Sequence, residues 1–192
     1  MRLLFLGDVV GRNARDAIIQ HLPDIKRDHK IDCVIINAEN AAHGFGVTAQ
    51  ICDDLYKAGA DCLTTGNHVW DQREIMSYID SAPKLIRPLN FPDGTPGRGH
   101  TIIQTPRGEK VLVVNLMARL FMDAMDDPFA AMDKLCNTYR MGRDVNAIFL
   151  DFHGEATSEK MAMGHFLDGR VSFVVGTHTH VPTADLRIMK KG

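Results

Sequence analysis

Positive charge is not in surplus in this chain. Its 192 residues carry 22 Lys and Arg against 24 Asp and Glu, a formal net charge of −2. A protein that tracks a nucleic-acid backbone or an anionic bilayer through its overall field needs a basic excess. Stable nucleic-acid binding and membrane association are therefore not expected, and any phosphate must be met locally. Long apolar runs are missing too. Leu3-Leu4-Phe5-Leu6 is too short for a signal-peptide core, has no small-residue cleavage site after it, and no run approaches bilayer length. Cysteine is sparse: Cys33, Cys52, Cys62 and Cys136 show no C-x-x-C spacing, which argues against a thiolate zinc site or a redox pair. Cys33 and Cys62 fall in strand-like runs and read as buried free thiols. A cytoplasmic protein is expected. There is no internal repeat and no low-complexity segment.

Hydrophobic residues make up 45% and charged residues 24%, ordinary for one globular domain over 1–192 with a core of its own. Residues 2–6 read as a strand. Ala14, Ala17, Ile18, Leu22 and Ile25 then recur at helical spacing, with Pro23 expected to kink or divide that helix. Cys33 to Ile36 reads as a second strand. Thr48 is placed to cap the next helix and Gly59 to close it. Ala60–Thr65 follows as a third strand, and Asp71-Gln72-Arg73-Glu74 has capping-box spacing for a helix to about Ser81. This β-α-β-α-β-α order signals a largely parallel sheet. Beyond a breaker-rich loop at 91–99, Thr101–Thr105 and Lys110–Asn115 read as a hairpin. The methionine-rich stretch 117–127 has no clear period. A helix from about Phe129 to Met141, a strand Ala147–Phe152, a short helix capped by Ser158 and ending near Gly169, and strands at 171–175 and about 183–189 complete the reading. The turn-like ending Met189-Lys190-Lys191-Gly192 leads to the expectation that a C-terminal strand is missing.

Five of the apolar runs stop at polar, metal-competent residues: Gly7-Asp8, Asn37-Ala38-Glu39-Asn40, Gly66-Asn67-His68, His153-Gly154-Glu155 and Gly176-Thr177-His178-Thr179-His180. Open α/β sheets place ligands at their strand ends. Taken singly, each has a plain structural reading. Asp8 suits a helix cap, Asn37 and Asn40 suit turns, Asn67-His68 suits a turn, and His153 suits a hydrogen-bonded core histidine. Glu39 is harder to set aside, because a carboxylate after Ile35-Ile36 needs a partner. Together the five ends point to one shared site. Its Asp, Glu, Asn and His donors, without cysteine, suit manganese or iron, and zinc less well. His21, His29, His100 and His165 are expected to lie outside the site, and His43, Arg98 and Arg119 to be solvated. Asp71 could orient His68, but its capping position explains it.

The ordered set resembles the calcineurin-like metallophosphoesterases, and within them the bacterial YmdB-like branch of cyclic-nucleotide phosphodiesterases. Gly7-Asp8-Val9-Val10-Gly11, Asn37-Ala38-Glu39-Asn40-Ala41-Ala42 and Gly176-Thr177-His178-Thr179-His180-Val181-Pro182-Thr183-Ala184-Asp185 carry the likeness, which extends over essentially the whole chain. The resemblance implies an α/β/β/α sandwich of two mixed sheets, two metal ions per chain and homo-oligomers. Asp8, Asn40 and His180 would hold one metal, Asn67, His153 and His178 the other, and Glu39 would bridge them. A metal-bridging hydroxide would attack a small cyclic phosphodiester, 2′,3′-cyclic or related, with His68 as general acid. Val10 stands where the wider superfamily has histidine, and Glu39 where it has aspartate; both departures are normal for this branch. The rival readings are a phosphomonoesterase or protein phosphatase on the same core, and a noncatalytic regulatory protein that binds metal or nucleotide.

Overall fold

The β-branched and aliphatic runs form the strands, as their composition predicts. The computed structural model describes residues 1–191. Strand β1 (Leu3–Leu6), helix α1 (Gly11–Asp28), β2 (Cys33–Asn37), α2 (Ala49–Ala58) and β3 (Cys62–Thr64) build a three-stranded sheet, parallel throughout in the order β1-β2-β3. Helix α3 (Ile75–Tyr78) and a 3-10 turn (Ile79–Ser81) lead to the second half. There β4 (His100–Gln104), β5 (Lys110–Met117), α4 (Pro128–Thr138), β6 (Ala147–His153), α5 (Thr157–Phe166) and β7 (Phe173–Thr177) form a mixed sheet ordered β4-β5-β6-β7. Its β4–β5 hairpin is antiparallel and its other pairs are parallel.

Strand alternation divides the core into layers. From β2, Val34 and Ile36 pack with the residues of α1 and α2. From β6, Ile148, Leu150 and Phe152 pack with those of α4 and α5. The other faces of the two strands, Cys33 and Ile35 on one and Ala147 and Phe149 on the other, meet in a shared cluster between the sheets. The arrangement is helix, sheet, sheet, helix, as expected, but only the second of the two sheets is mixed, because only it contains a hairpin. All four cysteines are buried and free. Among the described residues no helix is long and apolar enough to cross a membrane.

Several local expectations fail for physical reasons. Pro23 does not divide α1, which runs from Gly11 to Asp28. Pro23 is exposed, whereas its neighbour Leu22 is buried. The carbonyl of Ile19, left without an amide donor, belongs to a residue that is itself 40% exposed, so water is at hand. The helix expected from Asp71 begins only at Ile75. Glu74, read as part of a capping box, instead accepts from the amide of Ala49 at the start of α2. Thr48 and Gly59 do cap α2 as read, the Thr48 hydroxyl accepting from the Ile51 amide and Gly59 turning left-handed. Ser158 does not cap α5; Ala156 holds that position without a side-chain bond. Residues 183–189 form no strand, and Leu186 and Ile188 stay 88% and 92% exposed.

Pro23→Ala restores a helix hydrogen bond at a solvent-facing position. It should raise the unfolding free energy by about 1–3 kcal/mol in urea titration; an unchanged midpoint would mean that α1 is already relaxed around the ring.

Candidate metal centre

The polar strand ends converge because the strands that carry them run in one direction within each sheet. Asp8 follows β1, Glu39 and Asn40 follow β2, Asn67 and His68 follow β3, His153 ends β6, and His178 and His180 follow β7. In the β6–β7 register His153 pairs with Thr177, one residue before His178.

His153, fully buried, is the pivot. Its Nδ1 lies 2.9 Å from the Thr177 hydroxyl, which donates to Asp151 Oδ1 at 2.6 Å. A hydroxyl has one proton, so Thr177 accepts from the imidazole N–H, and in the neutral ring Nε2 is a lone pair. Around that Nε2 stand Asn67 Oδ1 at 2.9 Å, Glu39 Oε1 at 3.0 Å and His178 Nδ1 at 3.2 Å. His178 directs its own Nε2 at Glu155 Oε2, 3.3 Å away, which leaves Nδ1 facing inward. Four electron-rich atoms thus meet with no proton to share between them unless the ring is charged. Glu39 Oε1 is sealed from solvent and, with the His153 ring neutral, finds no hydrogen-bond donor among the described residues. A Cβ at Gly66 would collide with Glu39 Oε2 and His153 Nε2, so the space exists because residue 66 has no side chain. The donors fit a cation.

A second group adjoins the first. His180 Nε2 lies 3.2 Å from Asn40 Oδ1 and 3.7 Å from Asp8 Oδ1. Asn40 gives its amide to the Gly44 carbonyl at 2.8 Å, which turns its oxygen toward the histidine. Asp8 also accepts from the His178 amide at 3.1 Å. One donor atom each from Glu39, His153 and His178 lie within 4.8 Å of one another, and so do those of Asp8, Glu39 and His180. Glu39 is common to both groups. His178 and His180 have positive φ angles of 94° and 54°, a backbone strain of order 1–3 kcal/mol each that aims both rings inward.

The charges respond to this packing. Burial pushes the Glu39 carboxyl up, but the bond and charge of His153 and the amide of His68 outweigh it, and Glu39 ends below the usual carboxylate range. Burial pulls the His153 imidazole down, but Glu39 outweighs it and the ring ends above its ordinary value. His178 ends below, through burial and the neighbouring charge of His153. A cation bound among these donors would take over the role of the His153 proton.

His68 lies beside this set. Its amide donates to Glu39 Oε2 at 3.3 Å, and its Nδ1 is 2.8 Å from Asp71 Oδ2. Asp71 therefore orients His68, and its expected capping role is absent because α3 starts four residues later. Sequence reasoning also misses the support beneath the donors. Asn37, read as a turn former, is buried and donates to Asp151 at 2.9 Å, while its oxygen accepts from the Glu39 amide at 3.1 Å. Thr64 donates to the same Asp151 carboxylate at 2.5 Å. Burial pushes Asp151 up to about 6, opposed by the charge of His153 and by these donors. A lone carboxylate inside the apolar run Ala147–Phe152 was the available signal. His21, His29, His100 and His165 join neither group among the described residues; His43, Arg98 and Arg119 are exposed, as expected.

Two facing sheets, helices outside them and a carboxylate shared by two donor groups at the strand ends define a metallophosphoesterase-like protein. The chain belongs to the YmdB-like protein family, whose model matches residues 4–192. It is 50% identical to the 2′,3′-cyclic-nucleotide 2′-phosphodiesterase of Bacillus subtilis, over all of this chain and 72% of that protein. It is 38% identical to a putative phosphatase/phosphodiesterase of Mycoplasma genitalium, over all of this chain and 69% of the relative. Among solved structures, a hypothetical protein from Thermus thermophilus superposes with a TM-score of 0.92 at 45% identity, over all of this chain and 73% of that one. A structure described as a novel phosphatase from Mycoplasma pneumoniae gives 0.88 at 36% identity, over 99% and 68%.

Asp151→Ala leaves the donors of Thr64, Thr177 and Asn37 without an acceptor. It should cost about 3 kcal/mol of stability or more in chemical denaturation; a loss below 1 kcal/mol would mean that water replaces the carboxylate.

Proposed function

We propose that this chain is a dimetal phosphodiesterase acting on small cyclic nucleotides, 2′,3′-cyclic or closely related. The observation that carries the reading is the Glu39 carboxylate common to two donor groups, on a chain 50% identical to a protein named as a 2′,3′-cyclic-nucleotide 2′-phosphodiesterase. Asp8, Asn40 and His180 would hold one ion, Asn67, His153 and His178 the other, and Glu39 both. Iron or manganese suits this nitrogen and oxygen set, with zinc a lesser fit. Bound there, the ions supply Lewis-acid polarisation of a phosphoryl oxygen and an activated water.

The chain's own groups do the rest. Asp71 accepts from His68 Nδ1, so the protonated ring presents Nε2–H on its other side. Next in sequence to Asn67, His68 is placed to give that proton to the leaving oxygen as the phosphorus–oxygen bond breaks. Glu155 holds His178, and Thr177 with Asp151 holds His153, so the imidazoles need no reorientation on binding. The four free thiols suit a reducing cytoplasm. Homo-oligomer assembly belongs to the same proposal and is read by sedimentation. A phosphomonoesterase is the second reading, favoured by the phosphatase description of the Mycoplasma pneumoniae structure; faster turnover of a monoester than of a cyclic diester would select it.

Protein purified without chelator should carry about two metal ions per chain by plasma mass spectrometry, largely iron or manganese. Protons compete for the imidazole lone pairs. His153, raised, takes one first as pH falls, while Glu39, lowered, stays ionised. Metal content should therefore fall between about pH 7 and 5. Full occupancy below that range would remove the histidines from the ligand set. His68→Ala should lower kcat on 2′,3′-cyclic AMP roughly 10²–10⁴-fold with metal content unchanged; turnover within threefold of the parent would end the general-acid assignment.

A further inference from the structure

Phe45 sits at the rim of the site, 58% exposed. Its ring stands edge-on to His68, 5.0 Å between centroids and 77° between planes. The loop that carries it is not free. Ala41, Ala42 and Val47 on either side are buried in the core. Within the loop the Phe45 amide donates to Ala42 O at 3.0 Å and the Ala42 amide to Gly46 O at 2.9 Å. The Gly44 amide donates to Asn40 O at 3.1 Å, and Gly44 O accepts from the Asn40 side chain at 2.8 Å. From the other side, Gln72 donates to Phe45 O at 2.8 Å. His43, Gly44 and Gly46 all have positive φ, which folds the loop sharply. A Cβ at Gly46 would press on Gln72 Cγ at 2.9 Å and its backbone nitrogen at 3.0 Å, so the loop packs closely on the segment after His68. The fold thus spends a tight, doubly anchored turn on keeping an apolar ring in water, next to the residue read as the proton donor.

We propose that Phe45 is the stacking surface for the nucleobase, and that it sets a preference for nucleotides over cyclic diesters without a base. The proposal rests on the phosphodiesterase reading of the site. In a 2′,3′-cyclic nucleotide the base is attached to the sugar carbon next to the one bearing the 2′ oxygen. When His68 meets a leaving oxygen of that sugar, the base lies within reach of a ring 5.0 Å from the imidazole. Every base has a π-face, so an aromatic platform recognises bases as a class. Its order before binding lowers the entropic cost of using it.

The test compares the full chain, supplied with manganese, on 2′,3′-cyclic AMP and on the 2,3-cyclic phosphate of 1-O-methylribose, which has the same sugar and ring phosphate but no base. The parent should prefer the nucleotide by about 10-fold or more in kcat/KM, mostly through KM. Phe45→Ala should lose most of that preference, its loss on the nucleotide exceeding its loss on the base-free diester by about 10-fold, and Phe45→Trp should retain it. Circular dichroism melting establishes that both variants are folded. Equal losses on the two substrates would overturn the proposal, because the ring would then act through His68 or the loop. A parent without preference would overturn it as well. Hydrolysis of neither substrate by the parent would instead remove the phosphodiesterase reading, and this proposal with it.

Discussion

A carboxylate sealed between two sheets is the interaction on which the rest depends. Most of the layer between the sheets is apolar, built from Ile35, Cys62, Val113, Phe149 and their neighbours. Asp151 sits fully buried at its polar end. Burying a charge there costs several kcal/mol unless donors meet it. Asn37 from β2 and Thr64 from β3 reach across from the opposite sheet, and Thr177 reaches from the neighbouring strand. The same bonds that satisfy the carboxylate fix how the two sheets are set against each other. Through Thr177 they also fix which nitrogen of His153 faces the donor set. Sheet packing and imidazole tautomer are one problem with one solution.

The site shows how a fold prepares a charge cluster before any ligand arrives. Glu155 turns His178, Asp71 turns His68, the Gly44 carbonyl turns Asn40, and Asn37 holds the amide of Glu39. These four residues are thus held from behind before any ligand arrives. The cost appears as backbone strain at His178 and His180 and as a glycine at position 66. The β7 exit is where local preference and global arrangement disagree most, as expected where function and stability compete.

The α/β class and the polar strand ends are legible in the sequence because they depend on local pattern, whereas the layered sandwich and the division of the donors into two sets follow from the family resemblance. Buried runs such as Cys33–Asn37 and Lys110–Met117 declare themselves as strands, and polar residues at their ends mark an edge. The support beneath is not legible, because it joins residues far apart in sequence. Asp151 finds Asn37 across 114 positions and Thr64 across 87. Asp71 misleads for the opposite reason: three residues before Glu74 it has the spacing of a capping box, three residues after His68 it can also turn that ring, and only the late start of α3 separates a cap from a partner. Residues 183–189 have strand-like alternation, but a strand needs a neighbour, and pairing is not written in the segment itself. The expectation at Pro23 rests on the average effect of proline in helices, whereas its cost depends on whether the orphaned carbonyl meets water.

The distribution of the donors along the chain has a consequence for biosynthesis. Asp8 and the His178 amide that it accepts from are 170 positions apart, and neither donor group is complete without a histidine from the exit of β7. During synthesis the first sheet emerges with Asp8, Glu39 and Asn40 already at its edge, long before the rings that face them. The Asp151 carboxylate likewise waits for Thr177, translated 26 residues later. A cation therefore cannot template the early folding of this protein. Burial of the apolar layers has to carry the nascent chain at least through β7 before either donor group is complete.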